Sequence, residues 1–357
     1  MMADAAREDG LDGGAACPLP STEHPRVLLA HGGGGRLTQQ LIERVFLPAF
    51  DNPALAARAD SALLPVAAAR IAFTTDSYVV RPLFFPGGDI GRLAVYGTVN
   101  DLAMRGARPR WLSASFVIEE GLEMRALEAV AAAMGDAAAA CGVEIVTGDT
   151  KVIERGRGDG VYLTTSGIGV LEHDADIAPA AVRPGDAILL SGDVGRHGIA
   201  VMASREGLSF ETTLQSDLAP LHEPVRALLD AGVPVRCLRD LTRGGLSAAL
   251  HEIAAAARVG IDIDETAIPV HPDVGAACEL LGFDPMQVAC EGRFVAFVAA
   301  ADADRALRAL RRHPVAGGAV AIGTVAPEGR AAVVLRTASG ARRALDQPAG
   351  ELLPRIC

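Results

Sequence analysis

Residues 74–109 have the sequence "TTDSYVVRPLFFPGGDIGRLAVYGTVNDLAMRGARP". β-Branched and aromatic residues at its start favour a strand, and "PGGD" is typical of a tight turn. Residues 92–104 then follow a pattern compatible with a helix. The stretch therefore predicts a strand, a turn and a helix in succession, with Asp76 in the strand and Asp101 in the helix.

The regions on either side extend this organisation into two domains. "EMRALEAVAAAMGDAAAACG" predicts an alanine-rich helix that ends at Gly142, and "VEIVTG" and "GVYLTTSGIGVL" predict strands. From "VRPGDAILLSG" onward, predicted strands and helices alternate in the α/β manner. We predict a domain boundary near residues 172–184, a mobile extension over residues 1–25 and a tail from about residue 338.

Composition excludes several classes of protein. The 357 residues are half apolar, and their formal net charge is -11. No basic run interleaved with aromatic residues could neutralise a nucleic acid backbone. The first twenty residues lack a signal-peptide core, and every apolar run is shorter than a membrane span, so we expect a cytoplasmic protein without a membrane partner. The six cysteines form no CxxC pair, which argues against a zinc cluster or disulfide framework.

Four aspartates stand at or near predicted strand ends and turns: Asp76, Asp101, Asp149 and Asp240. Converging carboxylates would suit Mg²⁺, which takes oxygen ligands and keeps substrate phosphates in its shell. The alternative is that they are turn-formers and helix caps. Spacing alone does not show that they converge.

Other candidates concern phosphate. Lys151 follows Asp149 on the same side of an extended segment, where it could reach a phosphate or pair with a surface acid. Glycine tracts at residues 32–35, 87–88 and 244–245 could bind phosphate at helix N-termini or serve as flexible turns. Neither a GxxxxGK[ST] loop nor a strand-linked GxGxxG occurs, so an ATP site would lack the two commonest signatures.

Two histidines and a glutamate complete the candidates. His31 and His197 flank glycines, and we interpret each as a structural or phosphate-contacting histidine. Glu291, in "VACEGR", either points into a cleft or pairs with Arg293.

The order of these motifs resembles a known family. Residues 74–109, "TGDTKV", "PGDAILLSGDVGRHGIAVM", "LRDLTRGGLSAALHEIA" and the terminal "PRIC" are similar to the HypE family of hydrogenase maturation proteins, within the superfamily that resembles aminoimidazole ribonucleotide synthetase. The resemblance runs from about residue 31 to residue 357. The segment "DPMQVACEGR" departs from the family pattern at Met286, Gln287, Cys290 and Arg293.

The resemblance implies a two-domain fold and an assembly. We expect an α+β N-terminal domain over residues 26–172, an α/β C-terminal domain over residues 184–337, and a flexible tail over residues 338–357. ATP would bind in the cleft between the domains. The N-terminal sheet would pair with that of a second subunit, which makes a homodimer.

The resemblance also implies a carbamoyl dehydratase. A partner carbamoyltransferase would place a carbamoyl group on the terminal Cys357, and ATP would drive its dehydration to a thiocyanate. The cyano group would then pass to iron held by other maturation proteins and become a cyanide ligand of [NiFe]-hydrogenase.

By the same resemblance, Asp76, Asp101, Asp149 and Asp240 would hold Mg²⁺, Lys151 would meet phosphate, and Glu291 would act as the base. The loop over residues 31–36 would cover the triphosphate. The remaining implied nucleotide contacts are Gly32, Gly33, Gly34, Gly35, Asn100, Gly148, Thr150, Thr242 and Arg243.

Three other functions stay open. A selenophosphate synthetase would need a reactive cysteine near its N-terminal glycines, whereas Cys17 lies well upstream of Gly32. A thiamine phosphate kinase would carry paired aspartates where this chain has "TTDS". A non-catalytic carrier would present a modified Cys357 without acting on it.

Overall fold

The computed structural model describes residues 35–41, 43, 62–66, 69–205, 213–326, 332–347, 350, 353 and 355–357. The predicted extension over residues 1–25, His31 and the glycines at residues 32–34 lie outside the described residues.

The N-terminal part is built around a five-stranded sheet of order β1-β2-β7-β5-β6. Its elements are α1 (Arg36–Leu41), β1 (Ala62–Val66), β2 (Ala69–Tyr78), β3 (Phe84–Phe85), β4 (Gly88–Asp89), α2 (Ile90–Met104), β5 (Arg108–Glu119), α3 (Met124–Cys141), β6 (Glu144–Ile153) and β7 (Val161–Leu171). Strands β5 and β6, which helix α3 connects, pair in parallel, and the other pairs of this sheet are antiparallel.

Local sequence explains how this sheet and its helices begin and end. The predicted helix over residues 92–104 begins at Ile90, because the Asp89 side chain accepts a hydrogen bond from the Arg92 backbone N–H at 2.9 Å. Helix α3 ends where predicted, with Gly142 at a φ of 65°. Buried and half-buried residues alternate along β7, which places one face of the strand, including Thr165, against α2.

The C-terminal part carries a seven-stranded sheet of order β14-β13-β10-β12-β8-β11-β9. Its elements are β8 (Ala187–Leu190), α4 (Arg196–Ala203), α5 (His222–Asp230), β9 (Val235–Asp240), α6 (Gly245–Ala257), β10 (Ile261–Asp264), α7 (Pro272–Leu281), β11 (Phe294–Val298), α8 (Ala303–Leu310), β12 (Val320–Val325), β13 (Val333–Arg336) and β14 (Arg342–Ala344). Strands β8 and β11 are buried along their whole length between two apolar clusters.

This second sheet is mixed, although strands and helices alternate in sequence. Strands β10 and β13 pair in parallel, and the other pairs among its described strands are antiparallel. Alternation predicts layers rather than strand direction, since a helical connection can also return the chain beside an antiparallel neighbour.

The segment predicted as a flexible tail is packed where the structure describes it. Strand β14 extends the C-terminal sheet, and Leu345 joins its core. Leu353 and Ile356 are buried in the cluster that also contains the N-terminal core. Their apolar side chains are widely spaced in the sequence, so no helix or strand pattern revealed this docking.

Within the described residues, no helix has the length and apolar character needed to cross a membrane.

Candidate active site

A cavity of about 250 Å³ lies where the two domains meet. It is lined by Asp76, Ser77, Tyr78, Gly97, Asp101, Arg239, Asp240, Thr242, Arg243, Glu291 and Cys357. Strand β2 and helix α2 supply its N-terminal wall, and the end of β9 with the following loop supplies its C-terminal wall.

Strand β2 directs three polar side chains toward helix α2, because alternate residues of a strand share a face. The Tyr78 hydroxyl donates to Asp76 at 3.1 Å, and the Thr74 hydroxyl donates to Asp101 at 2.6 Å. Gly97 is required where the helix passes this face, since a Cβ on it would lie 2.3 Å from the Tyr78 hydroxyl oxygen. Two of the four predicted aspartates therefore meet at the cavity wall.

Burial raises the pKa values of the three cavity aspartates, and repulsion between carboxylates adds to the shift at Asp101 and Asp240. Burial, followed by the charges of Asp76 and Asp240, raises the pKa of Asp101 well above its usual value. Burial raises the pKa of Asp76, although the Tyr78 hydrogen bond and Arg243 oppose the shift. Burial, with the charge of Asp76 contributing, raises the pKa of Asp240 to about 6. The cluster thus lacks full compensation for its negative charge.

This donor set suits a hard divalent cation. Asp76, Asp101 and Asp240 offer carboxylate oxygens. A cation would compensate for the burial that raises all three pKa values, and for the repulsion that adds to the shift at Asp101 and Asp240. The described part of the chain contains no group of three His, Cys, Asp or Glu residues already close enough to hold a metal. Mg²⁺ commonly uses only one or two protein carboxylates and completes its shell with water and phosphate, so the residues fit the ion.

Glu291 is buried beside this cluster. Its backbone N–H donates to the Asp217 carboxylate at 2.7 Å, and its Oε1 has no hydrogen-bond partner among the described residues. Burial, then the charges of Asp240 and Asp217, raises the pKa of Glu291 well above its usual value. The neighbouring Gly292 permits this loop, because a Cβ on it would lie 1.9 Å from the Asp217 carbonyl oxygen.

Asn100 and Arg293 contact other groups than those expected from the sequence. Asn100 is buried, and its amide donates to the carbonyls of Ala219 and Glu291 while accepting from the Leu221 N–H at 2.7 Å. It therefore fixes the loop that carries Glu291 and does not line the cavity. Arg293 pairs with Asp193 at 2.8 Å, so this arginine's ion pair is not with Glu291.

The terminal residue enters the cavity. Cys357 lies beside Glu291 and Arg243, and the pKa of Arg243 is raised by Cys357 first, against the effect of burial, and then by Asp76 and Glu291. The chain end is held by an antiparallel bridge between Val80 and Ile356. The structure therefore places a thiol, a buried acid whose Oε1 has no hydrogen bond from the described residues, and a carboxylate cluster in one cavity.

Several predicted residues lie elsewhere. Gly148, Asp149, Thr150 and Lys151 belong to the exposed edge strand β6 and do not line the cavity. Gly148 has a structural reason, because a Cβ on it would lie 2.1 Å from the Ala114 carbonyl oxygen. Gly35 is buried at the start of α1.

The sequence analysis did not single out Ser77, Tyr78, Gly97 or Arg239 as cavity residues. The alternation of β2 was a usable signal for Tyr78, which shares the face of Asp76. His197 is fully buried beneath the chain end, with its Nδ1 2.8 Å from Ser216 Oγ and its Nε2 2.6 Å from the Ile356 carbonyl oxygen.

Comparisons with known proteins cover both domains. A family model described as AIR synthase related protein, N-terminal domain, matches residues 58–171, and one described as AIR synthase related protein, C-terminal domain, matches residues 183–336. The carbamoyl dehydratase HypE of Cupriavidus necator is 52% identical over 333 residues, which is 93% of this chain and 95% of that protein.

Solved structures agree. HypE in complex with ATP, a hydrogenase maturation protein, is 46% identical, with a TM-score of 0.78 and coverage of 93% of this chain and 100% of that one. A chain from a HypE–HypF complex is 45% identical, with a TM-score of 0.82 and coverage of 86% and 99%.

Proposed function

The chain belongs to the HypE family of carbamoyl dehydratases, and on that premise we propose that the thiol of Cys357 carries the carbamoyl group that is dehydrated. The observation that carries this proposal is the position of Cys357 in one cavity with Glu291, Asp76, Asp101 and Asp240. A non-catalytic carrier would have no use for a buried acid and a carboxylate cluster around its modified residue.

The proposed reaction converts an S-carbamoyl group into a thiocyanate. The carbon keeps its bond to sulfur, its oxygen forms a bond to the γ-phosphorus of ATP, and ADP leaves. The carbon–oxygen bond then breaks, phosphate carries the oxygen away, and the nitrogen loses two protons. ATP supplies the phosphoryl group that makes the oxygen a good leaving group.

Glu291 is the proposed base for the nitrogen protons. Its Oε1 is available to a ligand, and its raised pKa makes the ionised carboxylate a stronger base than a solvated glutamate. Arg243, beside Cys357, would stabilise negative charge that develops at the carbamoyl oxygen.

We propose that Mg²⁺ and ATP phosphates bind at the aspartate cluster. A relative has been solved in complex with ATP. The cavity of about 250 Å³ is smaller than most ligand pockets, which run from roughly 300 to 1,000 Å³. It therefore suits the reacting end of the nucleotide, and the glycines at residues 32–35 are proposed to cover the triphosphate.

We propose a carbamoyltransferase as the partner that loads Cys357, and iron-carrying maturation proteins as acceptors of the cyanide. A relative has been solved in a HypE–HypF complex. Both transfers require the chain end to leave the cavity.

The cysteines that the structure describes are free thiols, which supports a reducing, cytoplasmic setting.

We also propose a homodimer through the outer face of the N-terminal sheet. Phe73 and Trp111 are each in register with Ile168, so they form an apolar row across three strands. Both aromatic side chains are exposed, and β6 exposes Asp149 and Lys151 at the same sheet's edge. A second copy on this face would place these β6 residues within the assembly.

The test uses full-length chain carbamoylated at Cys357. With Mg²⁺ and ATP, intact-mass analysis should show loss of one water per carbamoyl group. Glu291→Gln should slow this loss by roughly 10²–10⁴-fold, the usual contribution of a general base, while the exposed matched control Glu128→Gln should not. A carbamoyl adduct that persists in the parent chain would refute the dehydration at Cys357, and a parent-like rate in Glu291→Gln would refute the base.

A further inference from the structure

The last three residues lie in a groove that binds their main chain. The Arg355 carbonyl accepts from the Arg81 N–H at 3.1 Å and from the Arg205 guanidinium at 2.7 Å. The Ile356 carbonyl accepts from His197 at 2.6 Å. A terminal carboxylate oxygen of Cys357 accepts from the Val79 N–H at 3.2 Å. The main-chain oxygens of all three residues therefore have partners outside the chain end.

The groove also contacts the side chains of the chain end. Ile356 is 5% exposed and packs into the apolar cluster that contains Val80 and Val201. Arg355 donates to the Asp159 carboxylate at 3.0 Å, and Arg81 approaches the same oxygen at 3.3 Å. The groove thus combines an apolar pocket, a carboxylate and a row of hydrogen-bond donors to the main chain of the chain end.

This arrangement is that of β-strand addition to a peptide. Main-chain hydrogen bonds supply affinity, and pockets for particular side chains supply specificity. None of the contacts depends on the covalent link between residue 355 and the rest of the chain. The groove can therefore select a chain end by its sequence.

We propose that this groove is a peptide-binding site that takes the free C-terminal end of a second copy of this chain in place of its own. The availability of the groove rests on the proposed function, because loading and transfer at Cys357 require the resident end to leave. A second copy's end carries the same Arg-Ile-Cys sequence and makes the same contacts once the groove is vacated.

The structure ranks the contributions to binding. Ile356 is buried, so its truncation in a peptide should weaken binding by at least about thirtyfold, from the usual cost of emptying an apolar pocket. The Arg355 side chain is 48% exposed in its ion pair with Asp159. Its truncation should therefore weaken binding only about threefold.

The experiment uses fluorescein-labelled peptide ELLPRIC, which is residues 351–357, under reducing conditions without ATP. The host is full-length chain with Ile356→Asp, whose own end no longer fits the apolar pocket. Fluorescence anisotropy should show saturable binding, with the Ile→Ala peptide much weaker and the Arg→Ala peptide slightly weaker. A peptide of the same composition in reversed order is the matched control and should not bind.

Absence of saturable binding, or equal binding by the parent and Ile→Ala peptides, would overturn the proposal. A host carrying His197→Ala in addition should bind the parent peptide less tightly, but the peptide variants decide the matter if that host does not fold. The peptides carry no carbamoyl group, so a negative result leaves dehydration in the full-length chain as a separate question.

Discussion

At the scale of single residues, the aspartate cluster lowers the stability of the folded protein and supplies oxygens for ligand binding. Asp101 has a pKa raised well above its usual value, so its ionised form is disfavoured in the folded protein. A neutral side chain of the same shape removes this cost. The same change removes an oxygen with the charge that a divalent cation requires.

We therefore predict that Asp101→Asn lowers Mg²⁺-dependent ATP affinity by at least about tenfold while leaving the unfolding midpoint equal or higher. Isothermal titration with ATP and excess Mg²⁺ measures the first quantity, and urea unfolding measures the second. Asp136→Asn, at an exposed site on α3, is the matched control. Loss of stability together with unchanged affinity would contradict this assignment of Asp101.

His197 links the chain end to pH. A carbonyl can only accept a hydrogen bond, so the Nε2 facing Ile356 carries the proton, and Nδ1 accepts from the Ser216 hydroxyl. The ring also packs edge-on against Phe85. Burial lowers the pKa of His197 below 6.5, against an opposing effect of Asp217.

Because the folded pKa is lowered, the unfolded chain binds the proton more readily, and stability falls as pH drops below 6.5 toward the folded value. We predict that His197→Gln, which keeps a donor for the Ile356 carbonyl, shows a smaller loss of unfolding midpoint between neutral and mildly acidic pH than the parent. Thermal unfolding across that range provides the measurement, with the half-buried His313→Gln as control. Equal pH dependence in parent and variant would refute this role for His197.

At the scale of elements, the sequence predicted most of what the cavity is built from. The strand, turn and helix of residues 74–109 occur as β2, the β3–β4 turn and α2, since their residues match local preferences. Convergence of Asp76 and Asp240 was not predictable from spacing, because it depends on contact between two sheets far apart in sequence. The docking of Ile356 likewise depends on a pocket supplied by distant elements.

Two glycines on neighbouring helices differ in the space around them. A Cβ on Gly97 of α2 would overlap the Tyr78 hydroxyl, whereas a Cβ on Gly135 of α3 would meet nothing within 4 Å. We predict that Gly135→Ala stabilises the protein by about 0.5–1 kcal/mol, from helix propensity alone. Gly97→Ala should destabilise by about 1–3 kcal/mol and slow dehydration, because Tyr78 must move away from Asp76. Urea unfolding and the intact-mass assay test both; a stabilising Gly97→Ala would show that α2 is not packed tightly on β2.

At the scale of the whole molecule, one sheet face is open while the other is covered. Helices α2 and α3 pack on the inner face of the N-terminal sheet, and the outer face exposes Phe73 at 40% and Trp111 at 44%. An aromatic row of this kind is costly to leave in water, and contiguous apolar patches commonly mark association sites. Sequence could not reveal the row, since its residues come from strands that are neighbours only in the folded sheet.

The proposed dimer makes a prediction about this face alone. Trp111→Glu puts a charge at one end of the row, and a buried charge without a partner strongly opposes association. We therefore expect the variant to sediment as a monomer at concentrations where the parent sediments as a dimer. Met124→Glu, which replaces a 68% exposed apolar residue at the start of α3, is the matched control and should remain dimeric. A dimeric Trp111→Glu variant would exclude this face as the interface, and a monomeric parent would exclude the dimer itself.

If Asp149 and Lys151 act only within the assembly, the rate of dehydration should fall together with dimerisation in Trp111→Glu and stay unchanged in the Met124→Glu control.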